Sequence, residues 1–257
     1  MGSEMCIRDR ASAWAVQSAR PPAAPSPMSG ASTFVPLPPD VDSLRIELLT
    51  DLHVLATDGP PGLRIHAATE AQARAFADRL AIVRSAGSCS ITPRSDGTLA
   101  RVTVELLLDR PVALESVLHR GDFTCDAPLT SVTARTSLGA VALTARGAVP
   151  GPIDLHAANG SITADLARLN GTLHATCGIG DVALTLTGSG SRGDAHLSAG
   201  RGDVTLRLPD PESAALQVVC PMGATALPPG GRPRPEQVQL ECRLHAGLGD
   251  VRVVETR

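Results

Sequence analysis

Seven glycines recur along the second half of the chain at a nearly constant interval, each between two short runs of alternating apolar and polar residues. They are Gly121, Gly139, Gly160, Gly180, Gly202, Gly223 and Gly249, with successive spacings of 18, 21, 20, 22, 21 and 26 residues. A steady period near 20 residues is typical of repeat architectures. The alternation predicts β-strands, because successive side chains of a strand point to opposite faces.

Residues at a fixed distance from each glycine form what we call a column, and three columns are largely apolar. Five residues before the glycine stand Ser116, Ala134, Leu155, Ala175, Leu197, Val218 and Leu244; two residues after it stand Phe123, Val141, Ile162, Val182, Val204, Thr225 and Val251; four residues after it stand Cys125, Leu143, Ala164, Leu184, Leu206, Leu227 and Val253. In a stack of coils such columns point inward, with equivalent strands about 4.8 Å apart. The prediction is therefore an all-β, single-stranded right-handed β-helix (β-solenoid). Asn159-Gly160 also fits a hairpin turn, so an antiparallel sandwich is the alternative.

The composition agrees with a narrow β-stack and excludes two classes of function. Aromatic residues make up 2% of the chain, with no Tyr, one Trp and three Phe, so Val, Leu, Ala and Cys must fill the core. The net charge is −3 without a basic stripe, which argues against nucleic-acid binding. No run of about 18 apolar residues occurs, so no membrane span is expected in this chain. All 23 basic residues are Arg, which is typical of a bacterial genome rich in G and C.

The chain divides into three predicted parts. Residues 1–27 are expected to be disordered, and Glu4–Arg10 resembles the translation of an adapter used in sequencing libraries, which indicates a metagenomic assembly with Met28 as the expected native start. Residues 28–111 are expected to open the solenoid, with one helix near residues 70–80. Residues 112–257 are the repeats.

Shorter signals within these parts predict individual elements. Thr69-Glu70-Ala71-Gln72 is a capping-box pattern that would begin the helix. Strands are predicted at Leu44–Ala56 (one or two), Leu63–His66, Ala81–Arg84, Cys89–Ile91, Leu99–Leu108 and, last, Asp250–Val254. Residues 29–40 are a Pro-rich lead-in, and loops are predicted at residues 209–211 and 228–235. The last strand is expected to leave an exposed edge at the end of the stack.

The Gly-Asp-Val turns at residues 180–182, 202–204 and 249–251 resemble those of a known family. With the lead-in Met28…Phe34-Val35-Pro36-Leu37-Pro38, they make residues 28–257 similar to the bacterial β-strand-repeat family of adhesin-like proteins of unknown function, relatives of the head-GIN auto-transporter adhesins. The resemblance implies a single-stranded β-helix and no assigned reaction. Ala140, Ser161 and Ala224 depart from the pattern, because they stand where the turn Asp would be.

Two groups of acidic turn residues are candidate binding motifs. Arg-Gly-Asp triplets, which can mediate integrin-type adhesion, occur at residues 120–122, 192–194 and 201–203. Asp181 and Asp203 share a column one coil apart, where outward carboxylates could share a hard cation. A structural role is favoured for both groups, because Gly-Asp is a common turn unit and short motifs match often by chance.

Histidines and cysteines also fall into columns. His174 and His196 share one outward column, and His156 and His245 share another. Two stacked imidazoles are too few for a closed metal site, so exposed histidines without a metal are predicted.

The cysteines at inward positions are predicted to be buried free thiols. They are Cys177, Cys220 and Cys242. Cys177 and Cys220 share a column two coils apart, about 10 Å by strand spacing. That exceeds the separation of about 7 Å that a disulfide tolerates between Cα atoms. Free thiols agree with a reducing compartment, so a cytoplasmic location is predicted, or the surface if an upstream signal has been lost.

The sequence favours a non-enzymatic scaffold that binds a protein partner or associates with itself through an edge of the stack. No nucleophile elbow, metalloprotease motif or phosphate-binding loop is present, so no catalytic residue, metal site or cofactor is predicted. A cell-surface adhesin is the first alternative. A carbohydrate-active β-helix enzyme is the second, and it is disfavoured because the repeats contain neither Tyr nor Trp to stack on sugar rings.

Overall fold

The computed structural model describes residues 30–94, 102–228 and 238–256. The predictions for residues 1–27, for the start of the strand at 99–108 and for most of the loop at 228–235 lie outside these residues. The described residues contain 21 strands, one α-helix and one 3₁₀ turn at Pro211–Ser213. Their bounds are β1 Ala31–Pro36, β2 Ser43–Leu48, β3 Asp51–Ala56, β4 Gly62–Ala67, α1 Glu70–Ala77, β5 Leu80–Ser85, β6 Ser88–Pro93, β7 Thr103–Leu108, β8 Val112–Leu118, β9 Phe123–Asp126, β10 Leu129–Leu138, β11 Val141–Ala145, β12 Ile153–Asn159, β13 Ile162–Leu166, β14 Asn170–Ile179, β15 Val182–Leu186, β16 Arg192–Arg201, β17 Val204–Leu208, β18 Ala214–Val219, β19 Thr225–Ala226, β20 Leu240–Leu248 and β21 Val251–Glu255.

The strands form two large sheets, and the prediction of an all-β chain with one helix is confirmed. Sheet A has the order β1-β4-β7-β3-β9-β11-β13-β15-β17-β21-β19, and sheet B has the order β18-β20-β16-β14-β12-β10-β8-β2-β6-β5. Pairing is parallel except for β1 with β4, β4 with β7, and β5 with β6. Both sheets are therefore mixed.

The strands on either side of a repeat glycine lie in different sheets. Around Asn159-Gly160, for example, β12 belongs to sheet B and β13 to sheet A, so the hairpin interpretation of this turn is wrong. Equivalent strands of neighbouring repeats pair instead, and Val182 lies directly beside Val204 in the register of β15 and β17. Both valines are buried, at 1% and 0% exposure. Residues about twenty apart therefore stack on one another, as the period predicts.

The core lies between the two sheets and is built from the inward columns. Most of their members are buried, including Phe123, the one aromatic residue among them. The exceptions lie in the repeat of Gly223, where Val218 is half-buried and Thr225 and Leu227 are exposed. Ser116 is buried in the same column as Ala134, and its hydroxyl has no hydrogen-bond partner among the described residues.

The N-terminal elements agree with most of the predictions. The Thr69 hydroxyl accepts from the Gln72 N–H at 3.3 Å and the Gln72 side chain accepts from the Thr69 N–H at 3.2 Å, which is the predicted capping box. Helix α1 buries Ala73 and Phe76. Strands β2 to β6 lie where strands were predicted, whereas β1 lies within the predicted Pro-rich lead-in.

The order of repeats at the C-terminal end differs from the order along the chain. Strands β20 and β21 lie next to β16 and β17, and the earlier strands β18 and β19 form the outer edges. The expectation that the last strand is an exposed edge is therefore wrong. The later repeat is therefore buried and the earlier one lies at the edge: Leu244 is 1% exposed in β20, whereas Leu227, which follows β19, is 50% exposed.

Candidate functional site

Hydrogen bonds connect the turns along the corner that carries the repeat glycines. The Oδ1 atom of Asp181 accepts from the Asp203 N–H at 2.9 Å, and Oδ1 of Asp203 accepts from the Asp250 N–H at 2.8 Å. Asp122 and Asp250 accept in the same way from the N–H groups of Ala140 and Ala224. Each carboxylate thus holds the next turn, which explains why Gly is followed by Asp in these repeats.

This ladder gives the acidic motifs a structural role. Asp122 and Asp203, the acids of two Arg-Gly-Asp triplets, each hold a neighbouring turn. Asp181 and Asp203 do stack, but Oδ2 of Asp203 also lies 3.7 Å from the Arg252 guanidinium. Within the described residues, no group of three or more His, Cys, Asp and Glu side chains is arranged to hold a metal ion.

The predicted histidine columns are present on the outer face of sheet B. The ring centroids of His174 and His196 lie 5.8 Å apart, edge to face. In the next column Nδ1 of His245 lies 3.4 Å from the Ser198 hydroxyl. The pKa of His196 is lowered most by burial and then by the nearby His174, Arg243 and His245, in that order. The structure therefore brings the two columns together as a cationic surface when the imidazoles are protonated.

The cysteines of the described residues are all free thiols. Cys177 and Cys242 are buried and Cys220 is half-buried. Because β20 lies between β16 and β18, Cys177 and Cys220 are separated by three strand spacings rather than the predicted two. Burial raises the pKa of the Cys125 and Cys242 thiols to about 12. Such thiols are poor nucleophiles and metal ligands at neutral pH.

A polar cluster on sheet A was not predicted. Glu105 on β7 accepts from Arg64 at 3.2 Å and lies 3.0 Å from Nε2 of His66, both of which are on β4. Glu105 is 41 positions from Arg64 along the chain, and the three residues meet only because β4 pairs antiparallel with β7. The Arg64 guanidinium compensates the charge of Glu105. These residues do not line the cleft described next.

A cleft of about 720 Å³ lies at the corner opposite the repeat glycines. Its walls are the segments 126–130 and 144–150, and Leu55, Ala56 and Pro111 complete the lining. Apolar side chains predominate, among them Leu129 and Val149, both nearly fully buried. Clefts of this size and chemistry are typical of ligand sites.

One ion pair supplies the charge at the cleft. Arg146 donates to Asp126 at 3.1 Å, with the arginine side chain 84% exposed. The segment that carries Arg146 connects β11 to β12 over seven residues, whereas residues 167–169 alone connect β13 to β14. This longer connection projects at the corner and makes the cleft. Its Gly and Pro content predicts a loop. No sequence pattern predicts that this loop forms a wall of the cleft, because that depends on how the loop packs against its neighbours.

These features define an all-β protein of two large mixed sheets with an open cleft at one corner. No family model matches the chain, and no curated protein matches it. It is similar in structure to a "putative adhesin" from Bacteroides fragilis NCTC 9343, with 8% identity and a TM-score of 0.48, over 87% of this chain and 96% of that one. A "putative adhesin" from Parabacteroides distasonis ATCC 8503 has 11% identity and a TM-score of 0.46, over 88% and 96%. A "putative lipid binding protein" from the same organism has 14% identity and a TM-score of 0.34, over 87% and 96%.

Proposed function

We propose that the chain is a right-handed β-solenoid and that it works as a non-enzymatic binding module whose ligand occupies the corner cleft. The parallel register of consecutive repeats supports the solenoid: β12, β14 and β16 pair in sheet B while β13, β15 and β17 pair in sheet A. The cleft is the single observation that carries the binding function.

The lining of the cleft supports a ligand with an extended apolar body. Ala56, Pro128 and Pro150 line the cleft and are exposed, so they offer apolar contacts. Burial of such surface contributes about 25 cal/mol per Å². The exposed Arg146–Asp126 pair is positioned to orient one polar end of the ligand. This chemistry suits a short apolar peptide or an amphiphile better than a sugar.

The proposal can be tested with a neutral solvatochromic dye such as Nile red. We expect saturable binding with an increase in fluorescence, because the dye moves from water to an apolar wall. Ala148 is exposed and lines the cleft, so Ala148→Trp fills the space without a change in the core. This variant should bind the dye at least about tenfold more weakly, which corresponds to about 1.4 kcal/mol.

Ala71→Trp is the matched control, because Ala71 is an exposed alanine on α1 that does not line the cleft. It should bind the dye as the unsubstituted chain does. Equal binding by all three proteins would place the dye elsewhere and would remove the support for the cleft as the site.

Self-association through an edge is a second candidate function, which a separate observation favours. Val219, Met222 and Leu227 are 46%, 62% and 50% exposed beside the edge strands β18 and β19. Edge strands with exposed apolar side chains readily pair with another chain.

Light scattering of Val219→Asp tests this second function, with Leu138→Asp as a control. Leu138 is equally exposed, at 46%, but it lies on β10 in the middle of sheet B. We expect the unsubstituted chain and the control to associate and Val219→Asp to be a monomer. A monomer in all three cases would exclude association through this edge.

The other predictions on function have no direct test in the structure. In the described residues no helix is long and apolar enough to cross a membrane. The cytoplasmic location stays a prediction, and the free thiols support it. The adhesin and carbohydrate-active alternatives also stay predictions; the Arg64–Glu105–His66 cluster is one group of converging ionisable side chains on which an enzyme hypothesis could draw.

A further inference from the structure

Four of the chain's seven histidines lie on the outer face of sheet B, in two neighbouring columns. Two arginines extend the same columns. We call this surface the histidine face, and it comprises His156, His174, His196, His245, Arg135 and Arg243. His174, His196 and Arg243 are register neighbours on β14, β16 and β20, and Arg135 and His156 are register neighbours on β10 and β12. The cationic groups therefore repeat at the strand spacing of about 4.8 Å.

The histidine face changes the sign of its charge when the imidazoles are protonated. The carboxylates beside it are Asp154, which bonds Arg135 at 3.4 Å, and Asp194 and Glu241, which flank the column of His196. These three carboxylates and the two arginines leave a net charge of −1 while the imidazoles are neutral. Four added protons convert it to +3. The other outward neighbours, Thr176, Ser198 and Gln217, are uncharged.

We propose that the histidine face binds a linear acidic polysaccharide under mildly acidic conditions and releases it near neutral pH. The proposal is independent of the corner cleft, which lies at the edge where the two sheets meet and is lined by other residues. A flat row of cations at regular spacing complements a linear polymer that carries regularly spaced acids.

The chemistry of the histidine face favours a polysaccharide over a nucleic acid. Among the described outward positions of sheet B there is no Phe, Tyr or Trp, so unpaired bases have no side chain on which to stack. Nucleic-acid affinity rests on permanent Lys and Arg charges, and of the two arginines here one is paired with Asp154. The carboxylates of a uronic acid polymer have ordinary pKa values of about 4, and imidazoles of about 6.5. Between these values the carboxylates remain charged while imidazoles take up protons.

The environment of His196 shows that binding and protonation would be linked. Partial burial and the nearby His174, Arg243 and His245 lower the pKa of His196, because its charged form loses some contact with water and is repelled by other cations. A polyanion placed over these groups would reverse that repulsion and raise the pKa of His196. By linkage, each proton that the complex gains makes affinity rise as the pH falls.

Fluorescence anisotropy with dye-labelled polygalacturonate and the full chain tests the proposal at low ionic strength, where charge effects are large. We expect binding at about pH 5 to be at least about tenfold tighter than at about pH 7.5, since several weak ion pairs are gained. His174→Asn/His196→Asn should lose most of this difference. His119→Asn is the matched control, because His119 is exposed but pairs with Glu47 outside the histidine face.

Further probes test which charged groups of the polymer are recognised. They use the unsubstituted chain, so their outcome does not depend on how the variants fold. Neutral dextran should not bind. Dextran sulfate should bind without the loss below about pH 4 that protonation of carboxylates brings to polygalacturonate. In the unsubstituted chain, the NMR titration of His196 should shift to higher pH when polygalacturonate is added. Binding that does not depend on pH, an unchanged titration of His196, or tighter binding of a single-stranded oligonucleotide would each overturn the proposal.

Discussion

At the scale of single residues, the repeat glycines permit neighbouring turns to stack closely. Gly180 has a φ of +137°, which side-chain-bearing residues rarely adopt. A Cβ atom there would lie 2.5 Å from the Gly160 carbonyl oxygen of the next turn. Glycine is therefore favoured at this position for two reasons: the positive φ of the backbone and the close approach of the neighbouring turn.

Gly180→Ala should lower the free energy of unfolding by about 3 kcal/mol, because it adds both backbone strain and a clash. Urea denaturation measures this change. Gly147→Ala is the matched control, since Gly147 has no positive φ and nothing within 4 Å of its added Cβ. It should change stability by less than about 0.5 kcal/mol. Similar losses in both variants would mean that the turn is not specific for glycine.

The turn carboxylates predict a dependence of stability on pH. A hydrogen bond from the Ala224 N–H and one from Arg252 lower the pKa of Asp250, because both favour the charged carboxylate. A carboxyl whose pKa is lowered by folding stabilises the fold above its ordinary pKa, and this contribution is lost as the pH falls through the lowered value.

Asp250→Ala removes this contribution. Its difference in unfolding free energy from the unsubstituted chain should be constant near neutral pH and should shrink below about pH 4. Urea denaturation at a series of pH values measures it. A difference that stays constant down to the lowest pH would show that the charge of Asp250 has no part in holding the turn.

At the scale of elements, the order of the strands determines which apolar side chains contribute most to the free energy of unfolding. β20 lies between β16 and β18, so Leu244 is buried at 1%, whereas Leu216 on the edge strand β18 is only half-buried. Leu244→Ala should therefore cost about 3 kcal/mol and Leu216→Ala about half as much. Denaturant midpoints of the two variants provide the comparison. The reverse ranking would indicate that the repeats stack in chain order.

The sequence predicts those features of the fold that depend on the local pattern of each repeat. It does not predict which of several similar strands pair with one another. The turn glycines and inward columns could be predicted, because φ and burial are properties of each repeat alone. The insertion of β20 between β16 and β18, and of β21 between β17 and β19, could not, since strands with one pattern can stack on any other.

The candidate sites divide in the same way. The two histidine columns follow from the spacing of His174 and His196 to their turn glycines, so they could be predicted. The cleft could not, because it is shaped by the packing of residues 146–152 against the neighbouring repeats. Strand β1 was missed because Pro36 and the prolines after it indicate a loop, although an edge strand tolerates Pro at its end.

At the scale of the whole molecule, the buried cysteines are distributed along the stacked strands from one end of the sheets to the other. Cys89 lies on β6 near one end, Cys125 on β9 and Cys177 on β14 lie further in, and Cys242 lies on β20 next to the outermost strand at the other end. Stacked repeats contact only their neighbours, so their stability is close to one-dimensional and the ends open more readily than the middle.

Thiol labelling should therefore follow position in the stack. In a Cys6→Ser background, Cys220 should react first, because it is half-buried beside the outer edge. Cys89 and Cys242 should follow at rates set by opening of the ends, and Cys125 and Cys177 should react last. Burial raises the pKa of the Cys125 and Cys242 thiols to about 12, so labelling requires opening rather than ionisation in place. Pulsed alkylation followed by peptide mass spectrometry measures each rate, and one common rate for the four buried thiols would mean that the two sheets open as a single cooperative unit.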